Sequence, residues 1–298
     1  MEPYPKISFY EKRDFGEKIN VTFAFLRQNL VPLGKSILFI AGPFILLVAV
    51  VAGIYQATVF NMGSDPGAFD FTGLLTQGSL TSFLSIFVSA LLVTVVYAYL
   101  VLYVEREDYQ HITVADVWDK AKQHYLTMVL SVFVYSALMV VGFIFLFIPG
   151  LIVLAALSFL FIIQMKERIS FGEAFSRCFK LVSDNYLSTL GLILVTAILI
   201  SIISMIVILP LTIALGVPAF FSISEAPDMA NTDGVFKVLF IAVQVVSSLI
   251  SYLLYAILLV AVAFQYANLV EKKEAAGLLE SVETIGTKRE ADGEDETY

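Results

Sequence analysis

Five long stretches of this chain contain no Asp, Glu, Lys, Arg or His: Ser36–Gln56, Phe83–Val104, Tyr125–Met165, Tyr186–Val217 and Val238–Val270. Charged residues make up only 15% of the 298 residues, and there is one cysteine and two histidines. Each scarcity excludes something. A soluble domain carries about 25% charged residues, so this is not the composition of one. A single cysteine, Cys178, forms no disulfide framework. His111 and His124 have no Cys or His companion at metal-ligand spacing, so no metal or other cofactor is expected. An ionisable group at mid-bilayer costs roughly 2.5–3.5 kcal/mol on insertion scales and is usually kept for function. Its absence from every apolar stretch argues against a proton-coupled carrier and against an intramembrane aspartyl or metalloprotease. The loops contain no Gly-rich phosphate motif, nucleophile–base pair or carboxylate pair. The chain is therefore not expected to be an enzyme, and no nucleic-acid partner is expected.

What is present is hydrophobic: 59% of the residues are apolar by type. A bilayer core needs roughly 20 apolar helical residues per crossing, so the five stretches read as membrane spans. Tyr125–Met165 has 41 residues, enough for two, and Pro149-Gly150 marks the expected turn between them. The fold class is an all-α integral membrane protein with six transmembrane helices and both termini on one side. The first 30 residues are polar and charged, and no small-residue cleavage site follows the first span, so no cleaved secretory signal is expected.

Orientation follows from the basic residues. Of the 18 Lys and Arg, 17 fall in the N-terminal segment, the second and fourth connections and the tail; only Lys237 falls elsewhere. Positively charged loops stay cytoplasmic, which puts both termini inside and the protein in the plasma (inner) membrane. The opposite loops, including Asn61–Gly67 and Ser222–Gly234, are short and acidic, with no room for a catalytic domain. Residues 1–270 read as a single polytopic domain. Residues 271–298 carry nine acids and four bases and read as a solvated, disordered acidic tail.

A short design recurs before three of the spans. Phe-Gly-Glu, eleven residues, then Asn appears as Phe15 to Asn29 and again as Phe171 to Asn185. Each copy opens with a capping-box pattern, Asp14 with Glu17, Thr113 with Asp116 and Ser170 with Glu173. Amphipathic periodicity follows: Phe171, Ala174, Phe175, Cys178, Phe179 and Val182 share one face of the third copy. The reading is three parallel units, 14–104, 113–165 and 170–270, each an interfacial helix followed by a transmembrane hairpin. Asn29 and Asn185 are expected to end the interfacial helices in the left-handed conformation, with Pro32 just beyond the first stop. Pro43 is expected to kink the first span.

Two sets of residues are candidates for function. Lys18, Arg27, Lys120, Lys122, Arg177 and Lys180, with Trp118 and Phe175, sit where a basic, aromatic helix face meets lipid. The alternative is that these faces pack on the tops of the hairpins. Gln244, Ser248, Ser251 and Tyr255 form a polar face on the last span, suited either to helix packing or to a polar cavity. The expected partners are the phospholipid bilayer, including anionic lipid, and a membrane protein or a second copy of the chain.

The run from Ile148-Pro149-Gly150 to Glu167, then Ser170 to Val182 and Asn185, resembles the membrane domain of glycerophosphoryl diester phosphodiesterases and a wide group of bacterial inner-membrane proteins. The clearest match covers about 45 residues, and the six-span layout extends it across the chain. The resemblance implies the fold. In those phosphodiesterases hydrolysis belongs to a separate soluble module, and only 28 residues follow the last span here. The expected function is thus a non-enzymatic membrane protein that organises or senses the cytoplasmic leaflet, or scaffolds a partner. The alternative is a transporter or exporter of a lipid or small amphipathic solute.

Overall fold

The computed structural model describes residues 5–62, 71–145, 147–225 and 232–275, and it is helical, with no strand among the described residues. The helices are α1 (Phe15–Ser36), α2 (Gly42–Met62), α3 (Phe71–Glu105), α4 (Val114–Phe145), α5 (Phe147–Leu157), α6 (Leu160–Glu167), α7 (Phe171–Val182), α8 (Tyr186–Glu225) and α9 (Thr232–Glu274). Six segments are long and apolar enough to cross a membrane: Phe15–Tyr55, Gly78–Glu105, Val114–Gly142, Gly150–Glu167, Tyr186–Ala214 and Ile241–Glu274. The acidic tail beyond Ala275, and most of both expected outer loops, lie outside the described residues.

α3 is the central helix. Every residue from Ala90 to Tyr103 is buried, on all faces. Around it pack α2, α4, α6 and α9, while α8 packs on α9 and α5. Large apolar side chains crowd one end of the bundle, where Phe25 meets Tyr103 at 4.9 Å and Phe264 at 5.8 Å between ring centroids. Toward the other end α8 turns Ile198, Ile202, Met205 and Ile206 outward, the pattern of a surface that faces hydrocarbon.

The first expected stop is absent. α1 runs through Asn29 and Pro32, passes into a π-helical turn at Ile37–Ala41, and continues as α2. Asn29 is buried; its amide donates to the Phe25 carbonyl at 2.9 Å and its oxygen accepts from the Tyr99 hydroxyl at 2.7 Å. With both ends of that side chain satisfied inside the helix bundle, nothing favours a left-handed break. The π turn lies directly before Pro43 and ends with the Gly42 amide donating to the Ile37 carbonyl, a local rearrangement that accommodates a residue with no N–H to give. In the third copy the left-handed residue is Asp184, with φ 65°, one position before Asn185.

Pro149 and Gly150 are not a turn. They lie in the first turn of α5, where a missing N–H is harmless. α4 ends at Phe145, and the residue between it and Phe147 is outside those described. A Cβ built on Gly142 would lie 3.3 Å from the Cα of Gly150, so the two glycines let α4 and α5 approach backbone to backbone.

Candidate functional site

The polar chemistry of the molecule is gathered at the end where α1, α4 and α7 begin. All three starts are reciprocally capped. The Glu17 amide donates to Asp14 Oδ1 at 2.8 Å, and the Asp14 amide donates to Glu17 Oε2 at 2.8 Å. At α7 the Ser170 amide donates to Glu173 Oε2 at 2.9 Å, and the Glu173 amide to Ser170 Oγ at 3.4 Å. At α4 the Thr113 and Asp116 pair closes in the same way, at 2.9 and 3.2 Å. Hydrogen bonds from the Ser170 hydroxyl and amide hold the Glu173 carboxyl below its ordinary pKa.

Ion pairs tie these starts to the ends of the long helices. Glu105, at the end of α3, faces Lys120 at 3.1 Å, Lys166 at 3.7 Å and Arg168 at 3.9 Å. Arg106 pairs with Asp116 at 2.8 Å. Arg177 joins Glu274 at 3.0 Å and also Glu167, which accepts from the Tyr266 hydroxyl at 2.8 Å. Glu274, followed by Glu167, raises the Arg177 guanidinium above its ordinary value. Lys273 closes α7 by donating to the Lys180 carbonyl at 2.8 Å and the Ser183 carbonyl at 3.0 Å, a cation on a helix C-terminus.

Between the start of α1, the start of α8 and the end of α9 lies an open cavity of about 400 Å³. Lys12, Lys18 and Lys272 line it against one carboxylate, Asp14. Lys18 is only 4% exposed, and its ammonium donates to Ser188 Oγ at 3.3 Å and lies 5.8 Å from the centre of the Phe15 ring. Lys272 donates to Asn185 Oδ1 at 3.1 Å. Arg13 also borders the cavity, but its guanidinium is turned toward Glu11 and the carbonyls of Ser8 and Phe9. The Arg13 backbone amide donates to Asn268 Oδ1 at 2.8 Å, which fastens the N-terminal segment to α9.

The residues nominated from sequence fall into different settings. Lys18 is buried in the cavity wall, and Lys120 and Arg177 sit in the ion pairs above. Lys122 pairs with Asp119 at 2.6 Å on the surface. Arg27 and Lys180 are exposed, as is Trp118, at 45%. Phe175 is half-buried, in a row with Phe171 and Phe179 at ring separations of 6.2 and 5.1 Å. Beside that row Ala174, Cys178, Leu181 and Val182 face the bundle, and burial pushes the Cys178 thiol up to about 12. On α9, Gln244 and Ser248 are half-buried while Ser251 and Tyr255 are exposed, so the four do not line one enclosed face.

Sequence reasoning missed Lys12, Ser188, Asn268 and Lys272. Asn268 and Lys272 stand four residues apart on one helix, a legible pairing. The bond from the Arg13 amide to Asn268, 255 residues away, had no local signal. Among the described residues no three His, Cys, Asp or Glu side chains gather as a metal-holding group. Comparison with protein-family models, with curated proteins and with solved structures finds no match.

Proposed function

We propose that this is a multi-pass protein of the plasma (inner) membrane, with both termini cytoplasmic, that organises or senses the cytoplasmic leaflet rather than carrying out a reaction. The observation that carries the reading is the set of exposed and half-buried aromatics on the three capped helices, which also carry the basic residues: Phe15 and Phe23 on α1, Trp118 on α4, and the row Phe171, Phe175 and Phe179 on α7. Aromatics at the ends of apolar helices are the usual occupants of a membrane–water interface, and basic residues there are drawn to anionic lipid by about 1 kcal/mol each. The 17-to-1 division of Lys and Arg supports a cytoplasmic position for that end. In this reading the three capped starts mark three parallel units, and the resemblance to the phosphodiesterase membrane domain concerns architecture alone.

Hydrogen exchange across Ser170–Asp184 in lipid nanodiscs tests it. Exchange should be slower in anionic than in neutral discs. Phe175→Glu should accelerate it, because a carboxylate replaces a half-buried ring, and Ser176→Glu on the exposed side should not. Equal exchange of the parent in both discs, with no effect of Phe175→Glu, would remove the leaflet from the account. A transport reading has one observation in its favour: the Tyr97 hydroxyl and the Gln164 amide are buried within spans with no hydrogen-bond partner among the described residues. Under that reading Tyr97→Phe with Gln164→Leu abolishes solute or lipid movement in proteoliposomes; under ours it leaves lipid association unchanged.

A further inference from the structure

We propose that the cavity between α1, α8 and α9 binds a phosphate group carrying two negative charges, presented either by a phosphomonoester lipid headgroup or by free phosphate. The proposal draws on the leaflet reading only for the lipid source. Its core is Lys18. That side chain is 4% exposed, yet among the described residues its ammonium has one hydrogen-bond partner, a serine hydroxyl at 3.3 Å, and the nearby Asp14 carboxylate forms no direct ion pair with it. A buried charge is costly unless it is paired, and a ligand anion supplies the pair.

The charge count sets the ligand class. Lys12, Lys18 and Lys272 face one carboxylate, and Asp14 is held by the Glu17 amide as a helix cap. Arg13 is already matched by Glu11. The wall therefore carries an excess of two positive charges, which a dianion neutralises and a phosphodiester, with one charge, does not. Three ammonium groups from three separate segments suit the spread oxygens of a phosphate. A planar carboxylate is better met by the fork of an arginine, and the one arginine here is turned away. Asn185 and Ser188, at the start of the 40-residue α8, add the positive end of a helix to the same wall. Phe15, 38% exposed, forms an apolar lip at the start of the first span, where an acyl chain would leave the cavity.

The test uses the purified full chain in a nonionic detergent, with native mass spectrometry and thermal unfolding as readouts. The probes are dioleoyl phosphatidic acid, dioleoyl phosphatidylglycerol, dioleoyl phosphatidylcholine and inorganic phosphate. Phosphatidic acid should be retained at least tenfold better than either of the other lipids. Lys18→Met with Lys272→Gln should lower that retention at least tenfold, while Lys35→Gln, exposed and outside the cavity, should leave it unchanged. If the Lys18 variant does not fold, Lys12→Gln with Lys272→Gln carries the test, since both lysines are exposed. Stabilisation by inorganic phosphate, with displacement of lipid, supports the site and assigns free phosphate as the source; lipid binding alone supports it with the leaflet as the source. Equal retention of phosphatidic acid and phosphatidylglycerol, or equal retention by parent and cavity variants, overturns the proposal. Both results can occur while α7 still responds to anionic discs, so the loss of this site and the loss of the leaflet reading are separable.

Discussion

Asn29 and Asn185 stand at the same distance after the same Phe-Gly-Glu start, yet one lies inside a continuous helix and the other at a break. Asn29 is buried and satisfied by Phe25 and Tyr99, so its helix runs on into the first span. Asn185 is half-exposed; its side chain donates to Ser183 and accepts from Lys272, and Asp184 before it takes the left-handed conformation. The start of each helix is a local matter of two side chains and a few amides. The end depends on which distant helix offers the asparagine a partner. α7 is in consequence a separate element, held by its own caps and by Ala174, Cys178, Leu181 and Val182 on its bundle side.

The sharpest ways to break this comparison differ in size. Phe25→Ala should have the largest effect, about 3–5 kcal/mol by analogy with other buried aromatics, because it empties the ring cluster against which α1 is anchored. Denaturant unfolding in detergent measures it, and a change below that of a surface substitution would show that α1 is not held there. Asn29→Ala should cost about 1–3 kcal/mol, since it strands the buried Tyr99 hydroxyl. Asn185→Ala should cost roughly 1 kcal/mol or less, because its partners are exposed and regain water. Equal losses at the two asparagines would mean that their different settings do not matter.

Smaller effects separate the caps. Ser170→Ala should destabilise α7 by about 1 kcal/mol, seen as faster hydrogen exchange confined to 171–182. Asp14→Ala should leave exchange within α1 beyond its first turn unchanged, because there the stripe Thr22, Phe25, Asn29 and Leu33 holds the helix against the bundle. The smallest effect is a pH dependence. The Glu173 carboxyl is lowered in the folded state by the Ser170 hydroxyl and amide. Its contribution is present above the unfolded carboxyl's pKa of about 4.3 and is lost as pH falls through the lower folded value. Exchange of α7 should therefore rise below about pH 4, and Glu173→Gln should remove that rise. A rise of the same size in the variant would assign it to another group.

The six apolar segments and all three helix starts were legible in the sequence, because run length, capping pairs and periodicity are local. Helix ends were not legible where burial decides them, as at Asn29, and Pro149-Gly150, expected as a turn, lies inside α5. The candidate site was half visible. Lys18 was singled out for the charge it carries, but its burial depends on Ser188 and Phe15, and the cavity depends on Asn268 and Lys272 at the far end of the chain. The Phe9 ring on Phe264, at 5.7 Å, belongs to the same class of long-range contact.

The most direct test of the leaflet account is Trp118, the one tryptophan of the chain, 45% exposed in the first turns of α4. Its fluorescence in liposomes is to be measured with bromine placed at different depths of the lipid acyl chains, and with iodide in the water. The account predicts strong quenching by bromines near the headgroups, weak quenching by bromines at the chain ends, and partial protection from iodide. Full quenching by iodide with none by any brominated lipid would put Trp118 in bulk water and contradict the account.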